Sequence, residues 1–359
     1  MNQKIKWLRD KIRNLDLQGM VITNPISIKY LLGIDAEGIL LITRKENFYI
    51  TDGRYIEKVN SILTIDDEIL VNNIKDLTVY DYEGFFTFCE SVGFEEYHII
   101  YAKYKEYIQK FQINSFEETE GIIEKQRMIK DIDEIAKIKK ACSITDDCFE
   151  YIRKYIKIGH TEKEIALEIE RFFRLNGADG LAFDTIVASG INSSMPHAVP
   201  TDKKIEEGDP ITIDMGCKYE GYCSDMTRTV FARRIPNEIK KIYDLVLKKQ
   251  IQIAEEMKDG ANSKILSKIV EADFKLLGYD LIHSLGHGVG LEIHEFPSMS
   301  SKYDFFLRDN MVVTNEPGIY IPGKFGVRIE DTVLITKYGS MNLTKSDKNY
   351  VVVGWFLLW

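Results

Sequence analysis

Five residues in the second half of this chain have types that hold metal ions or move protons: Asp214, Asp225, His287, Glu316 and Glu330. Each stands in or beside an apolar, strand-like run or a glycine-rich turn. The stretch "ITIDMGCKYEGYCSDMTRTV" reads as two strands and a turn, with Asp214 on the first arm and Asp225 opening the second. Aspartate is a poor strand former, because its short carboxylate bonds better to backbone in turns. Glu316 precedes Pro317, which favours extended geometry. In "GVRIEDTV", Arg328 and Glu330 share one face by the strand period of two, and Val327 and Ile329 take the other. Singly, each has an ordinary explanation: a turn Asp, a solvent-facing strand Glu, a hydrogen-bonded His. Jointly, four carboxylates converging on a core would repel one another and cost on the order of several kcal/mol each in desolvation. Two divalent cations would cancel that charge. Carboxylates with one imidazole suit Mn²⁺, Co²⁺, Fe²⁺ or Zn²⁺ better than a thiolate-rich structural zinc site.

The stretches "FDTIVASGINSSMPHAVP", "GDPITIDMGCKYEGYCSDMTRTV", "HSLGHGVGLEIHE", "VVTNEPGIY" and "GVRIEDTVLI" follow one another over about residues 181–333. In content and order they resemble the metallopeptidase family of aminopeptidase P, prolidase and methionine aminopeptidase, which has the pita-bread fold. The first third of the chain resembles the extra domain of the proline-specific branch. The resemblance implies an α+β catalytic domain over 124–359, preceded by a smaller creatinase/prolidase-type α/β domain over 1–123.

It also implies roles. Asp214, Asp225, His287, Glu316 and Glu330 become ligands of two metal ions, with Asp225 and Glu330 bridging. The ions would be Mn²⁺, with Co²⁺ or Zn²⁺ as alternatives. His197 of "PHAVP" and His294 of "LEIHE" become substrate-contacting histidines, and Arg328 a substrate-positioning arginine, unless it merely balances the acids. The implied reaction releases the N-terminal residue of an Xaa-Pro peptide, as an aminopeptidase or a dipeptidase, by attack of a water bridging the metals. Two metals roughly 3.5–4 Å apart can lower that water's pKa and polarise the scissile carbonyl. Glu316 would shuttle the proton, and His197 or His294 would meet the developing oxyanion. Proline at the second position has a tertiary amide without N–H, which ordinary aminopeptidases handle poorly. A homodimer is expected by family analogy. The alternatives are a metal-independent creatinase-like hydrolase and a non-catalytic pita-bread binding protein; the five intact ligand candidates argue against both.

Several neighbours stay open. The glycines flanking His287 permit close backbone approach or make a turn. Phe183 lines a side-chain pocket or is plain core. Tyr222 and Thr227 support the ligands or only pack. Asn315 departs from the family's usual apolar residue before the glutamate, and "NYVVVGWFLLW" is a more apolar ending than the family's, which suggests self-association.

The elements that must position these residues follow from pattern. "GMVIT", "GILLIT" and "NFYIT" are strand-length apolar runs, and Tyr80–Val92 reads as helical. Later come helices over 130–156, from Thr161 with Glu164 as a capping box to about Gly177, over Asn237–Met257, and over Ser263–Leu277. Ser263 is the expected N-cap, and Gly278 the residue after the last turn. Helix–helix–strands occurs twice, which suggests an internal duplication.

Composition narrows the partners. The 359 residues carry 47 basic and 56 acidic side chains, a net charge of −9 with no basic stripe, so nucleic acid is excluded. No stretch approaches the roughly 20 apolar residues of a membrane span. "MNQKIKWLRDKIRNL" is an amphipathic helix pattern rather than a signal peptide. Five scattered cysteines read as reduced thiols, and Cys217 and Cys223 near the hairpin tip have no assigned role. The expected location is the cytoplasm.

Overall fold

The computed structural model describes residues 3–43, 46–64, 68–87 and 89–355. It divides into two units, Met1–Arg127 and Met128–Trp359.

In the first unit the chain runs α1 (Gln3–Asn14), β1 (Gly19–Ile22), α2 (Pro25–Leu32), β2 (Gly38–Thr43), β3 (Asn47–Thr51), α3 (Ile56–Ile62), β4 (Ile69–Asn73), α4 (Val79–Gly84), β5 (Ser91–Phe94), α5 (Tyr101–Phe111), β6 (Ser115–Glu118) and α6 (Ile122–Arg127). One six-stranded sheet has the order β4-β3-β2-β1-β5-β6. Val21, Leu41, Ile50 and Val92 bury against Tyr82, Phe86 and Phe111. The helix expected over Tyr80–Val92 is wrong in its second half. A capping box of Thr78 and Asp81 starts α4, but it stops at Gly84. Val92 instead lies in β5, paired in parallel with both β1 and β6. Sheet pairing on two sides outweighs a weak helical pattern that contains a glycine.

The second unit repeats one plan. In its first half, α7 (Ile132–Tyr155) and α8 (Glu162–Leu175) cover β8 (Ile186–Ser189), β9 (Pro210–Met215) and β12 (Met226–Ala232), after a short β7 (Gly180–Leu181). Between β9 and β12 lie β10 (Cys217–Tyr219) and β11 (Tyr222–Cys223). In the second half, α9 (Asn237–Glu256) and α10 (Ser263–Leu276) cover β13 (Gly286–Gly288), β14 (Glu295–Met299), β15 (Val312–Asn315), β18 (Asp331–Thr336) and β19 (Gly339–Asn342). β16 (Gly318–Ile321) and β17 (Phe325–Arg328) form a separate ribbon. The last strand, β20 (Val352–Val353), runs parallel to β12.

The Thr161–Glu164 capping box starts α8 as expected. At α10 the expectation fails by one residue: Asn262 is the N-cap, its side chain accepting from Ile265 N, while Ser263 is buried inside the first turn. Asparagine caps at least as well as serine and takes the extended backbone the position needs. Gly278, with φ of +84°, follows the last turn as expected.

Candidate metal centre

The hairpin of β9 and β12 sets the first two acids. Its register pairs Asp214 with Thr227 and Met215 with Met226. Asp225 precedes the paired stretch by one residue and lies two before Thr227, so Asp214, Asp225 and Thr227 turn to one face. The ladder breaks at Gly216, where a Cβ would lie 2.0 Å from Ser224 O. Only glycine permits that crossing. The chain then turns at Glu220–Gly221, both at positive φ, as a two-residue hairpin requires. Cys217 and Cys223 are buried below that tip rather than at it. Cys217 Sγ lies 3.4 Å from Ala141 O, and burial pushes the Cys223 thiol up to about 12. They are core thiols.

His287 lies at the centre of β13. A Cβ on Gly286 would meet Thr314 O at 2.1 Å, and one on Gly288 would meet Phe296 O at 2.2 Å. Neither glycine has positive φ. Close backbone approach on both flanks, not a turn, is their reason. His287 Nδ1 is 3.1 Å from Gly288 O, so this nitrogen donates and Nε2 is left with its lone pair toward the acids.

Glu316 follows β15, and Thr314 Oγ1 donates to its Oε1 at 3.2 Å. The run "GVRIEDTVLI" is two strands, not one: β17 ends at Arg328 and β18 starts at Asp331. Glu330 falls in the break, with its N–H donating to Thr227 O at 3.1 Å. The expected facing survives the break. Val327 and Ile329 are wholly buried in the apolar core, and Arg328 Nε and the Glu330 carboxylate share Thr227 Oγ1, at 3.0 and 2.6 Å.

Ligand-type atoms of Asp225, His287 and Glu330 lie within 4.8 Å of one another. His287 Nε2 is 3.5 Å from both Asp225 Oδ2 and Glu316 Oε1, beyond a good hydrogen bond. Arg328 Nη2 donates to Asp214 Oδ2 at 2.6 Å. Asp214 Oδ1 is buried and, among the described residues, accepts no hydrogen bond. Burial, then the charges of Glu330, Asp214 and Glu316, raise Asp225 well above the carboxylate range. Burial, then Glu316 and Asp214, do the same to Glu330. Burial raises Glu316 and lowers His287. Four carboxylates thus face one guanidinium. The residual negative charge, the buried unpaired Asp214 oxygen and the lone pair of His287 together fit divalent cations.

His197 follows a 3₁₀ turn over Gly190–Ser194 and is exposed. His294 is also exposed and packs edge-on against His287, ring centroids 4.3 Å apart. Burial, then the Arg328 guanidinium, lowers His283, and burial, then His287, lowers His294. Phe183 is half-buried, its ring over Gly216. Of the two expected supports, Thr227 donates to the Glu330 carboxylate at 2.6 Å, and Tyr222 donates to Glu134 Oε1 at 2.9 Å. Asn315 is fully buried and donates to Gln250 O at 2.8 Å.

Two residues escaped sequence reasoning. Tyr320 Oη accepts from Arg328 Nη1 at 2.6 Å and is 3.1 Å from His283 Nε2. Burial pushes this phenol up to about 12, so it stays a neutral donor to His283. His283 stands in the quoted "HSLGHGVG", four residues before His287. The available signal for Tyr320 was its glycine neighbours: a Cβ on Gly318 would strike its hydroxyl at 2.7 Å, and one on Gly326 its ring at 2.6 Å.

Comparison with known proteins places residues 136–337 under the model of metallopeptidase family M24, and residues 4–129 under the creatinase/prolidase N-terminal domain. The chain is 37% identical over 358 residues to an Xaa-Pro dipeptidase of Pyrococcus horikoshii, covering 98% of this chain and 99% of that one. An Xaa-Pro dipeptidase from Bacillus anthracis superposes with a TM-score of 0.92 at 35% identity, covering 98% and 99% of the two chains. An X-Pro aminopeptidase from Thermotoga maritima gives 0.87 at 34%, covering 96% and 100%. The α+β pita-bread architecture with its smaller α/β N-terminal domain is the fold these proteins share.

Proposed function

This chain belongs to metallopeptidase family M24, and we propose that it is a dinuclear-metal exopeptidase that removes the N-terminal residue from Xaa-Pro peptides. The observation that carries the reading is the convergence of Asp214, Asp225, His287, Glu316 and Glu330 around a single arginine, in a chain similar along nearly its whole length to Xaa-Pro dipeptidases. The five would hold two divalent ions, Mn²⁺ in the cell, with Co²⁺ or Zn²⁺ as substitutes. When bound, such ions activate water and polarise the scissile carbonyl.

The chain's own residues supply the rest. Glu316, raised by burial, takes and returns the proton of the attacking water. His197 and His294, both exposed, donate hydrogen bonds to the oxygen that gains charge. Arg328 holds Asp214 in place through a charge-assisted hydrogen bond. The catalytic domain is assigned to 124–359 and the N-terminal domain to 1–123.

Product analysis on Ala-Pro and on an Xaa-Pro-Xaa tripeptide, with Mn²⁺, Co²⁺ and Zn²⁺ in turn, tests the reading. Release of proline from the dipeptide alone assigns a dipeptidase; cleavage of the tripeptide assigns an aminopeptidase. A metal-loaded protein inert on both, and on methionyl peptides, overturns it. A homodimer in the cytoplasm completes the proposal. Buried thiols at Cys142, Cys148, Cys217 and Cys223 support a reducing compartment. Among the described residues no helix is long and apolar enough to cross a membrane. Trp355 is 64% exposed, and residues 356–359 of the apolar ending lie outside the described residues. Removing 355–359 and measuring mass in solution tests the dimer's dependence on that ending.

A further inference from the structure

The connection between β8 and β9 carries His197, and one carboxylate from another element joins its start at Ser189 to Thr201, beyond the histidine. Glu162, in the first turn of α8, is fully buried. Its Oε1 accepts from Ser189 N at 2.7 Å, Ser189 Oγ at 2.8 Å and Asn192 Nδ2 at 3.1 Å. Its Oε2 accepts from Asn192 Nδ2 at 3.1 Å, Thr201 N at 3.0 Å and Thr201 Oγ1 at 2.6 Å. Ser189 is where the loop leaves the sheet, and Thr201 lies four residues after His197. The loop is held in the middle as well. Ser193 Oγ accepts from Gly326 N at 2.9 Å, and a Cβ on Gly326 would strike Ser193 O at 2.1 Å. Arg328 Nη1 reaches Pro196 O, the residue before His197, at 3.3 Å.

A buried carboxylate with every lone-pair direction filled is a rigid knot. This one closes the segment between Ser189 and Thr201 into a neck, and the His197 side chain within that segment is exposed. We propose that Glu162 is a positioning residue: it ties Ser189 to Thr201 and so fixes the height at which His197 meets the substrate. The proposal rests on the reading of His197 as a substrate-contacting group. Glu162 touches no reacting atom and acts only through the loop. Misplacement of a reacting group by about 1 Å costs on the order of a hundredfold in rate, so a loosened neck is felt in turnover while the metal ligands stay put.

The test is a double-mutant cycle on the metal-loaded enzyme. Glu162→Gln keeps the side chain's size but sets an amide N–H₂ against the N–H and hydroxyl donors of Ser189 or Thr201. It is expected to lower kcat on an Xaa-Pro dipeptide about tenfold to a hundredfold, with bound metal unchanged. In a His197→Ala background the same change should cost less than twofold, because the group it positions is gone. Equal losses in both backgrounds, or unchanged kcat in the single variant, overturn the proposal. Should Glu162→Gln not fold, Asn192→Ala removes two of the carboxylate's bonds and is expected to give the same pattern at smaller size. Hydrogen exchange supplies a readout independent of substrate: the 190–200 amides should exchange faster in the variant, and those of 286–288 should not. Unaltered exchange at 190–200 defeats the staple. Failure of the unmutated enzyme on Xaa-Pro peptides defeats the functional reading instead, and leaves the exchange result to decide the staple.

Discussion

Arg328 and Asp214 face each other at 2.6 Å with both side chains almost wholly out of water, and they do so in a cluster where, among the described residues, the acid's other oxygen has no donor. The guanidinium also bonds Tyr320, Thr227 and the Pro196 carbonyl. One planar fork thus meets four partners, which a lysine ammonium cannot do from a single point. Arg328→Lys should therefore lose about 2–3 kcal/mol of stability and Arg328→Met about 3–5 kcal/mol. Thermal unfolding of the metal-loaded proteins checks the order; equal melting temperatures for all three chains would count against a shared anchoring role.

Metal removal should make stability depend on pH in a defined direction. Asp225, Glu316 and Glu330 all titrate above the ordinary carboxylate range, burial being the first cause in each. Above about pH 4, where unfolded carboxylates ionise, the folded metal-free chain keeps protons that the unfolded chain has lost. Its stability is then fully present below that pH and falls as pH rises through the raised values. Melting temperatures of chelator-treated protein should drop from pH 5 to 8, and the gap to loaded protein should widen. A gap constant with pH contradicts the clustering.

Asp225→Asn and His197→Ala should separate holding metal from using it. The first is expected to lose bound metal and nearly all turnover. The second should keep its metal, measured by elemental analysis, and lose about a hundredfold in kcat. Full activity in the first, or metal loss in the second, reverses the assignment of inner and outer roles.

Tyr320→Phe removes one hydroxyl that joins His283 to Arg328. Loss of this bridge should cost about 1–2 kcal/mol, seen as a lower denaturation midpoint with an unchanged slope. His283→Phe in the same background should add little, since both residues belong to one network.

What the sequence disclosed about the site follows from how local each signal was. Asp214, Asp225, Glu316 and Glu330 conflict with the apolar runs around them, and that conflict is visible without a fold. The glycines around His287 were equally legible, although only the spacing to Thr314 O and Phe296 O decides between turn and close approach. His283 and Tyr320 were not legible, because their importance lies in contacts with Arg328 and Glu316 from other strands. The same holds for the end of α4: parallel pairing on both sides of Val92 is a long-range fact. Asn262 and Ser263 are adjacent capping residues, and only backbone angles say which one is half outside the helix.

The break at Glu330 has a wider consequence. Asp214 and Asp225 come from the sheet of the first half, whereas His287 and Glu316 come from that of the second, and Glu330 stands in the crossing between ribbon and sheet. Neither half carries the whole set, so the five side chains form one cluster only when the two halves of the unit meet in register. The repeated plan of helices and sheet is therefore the frame on which the cluster is assembled, and a shift of one half against the other would scatter it.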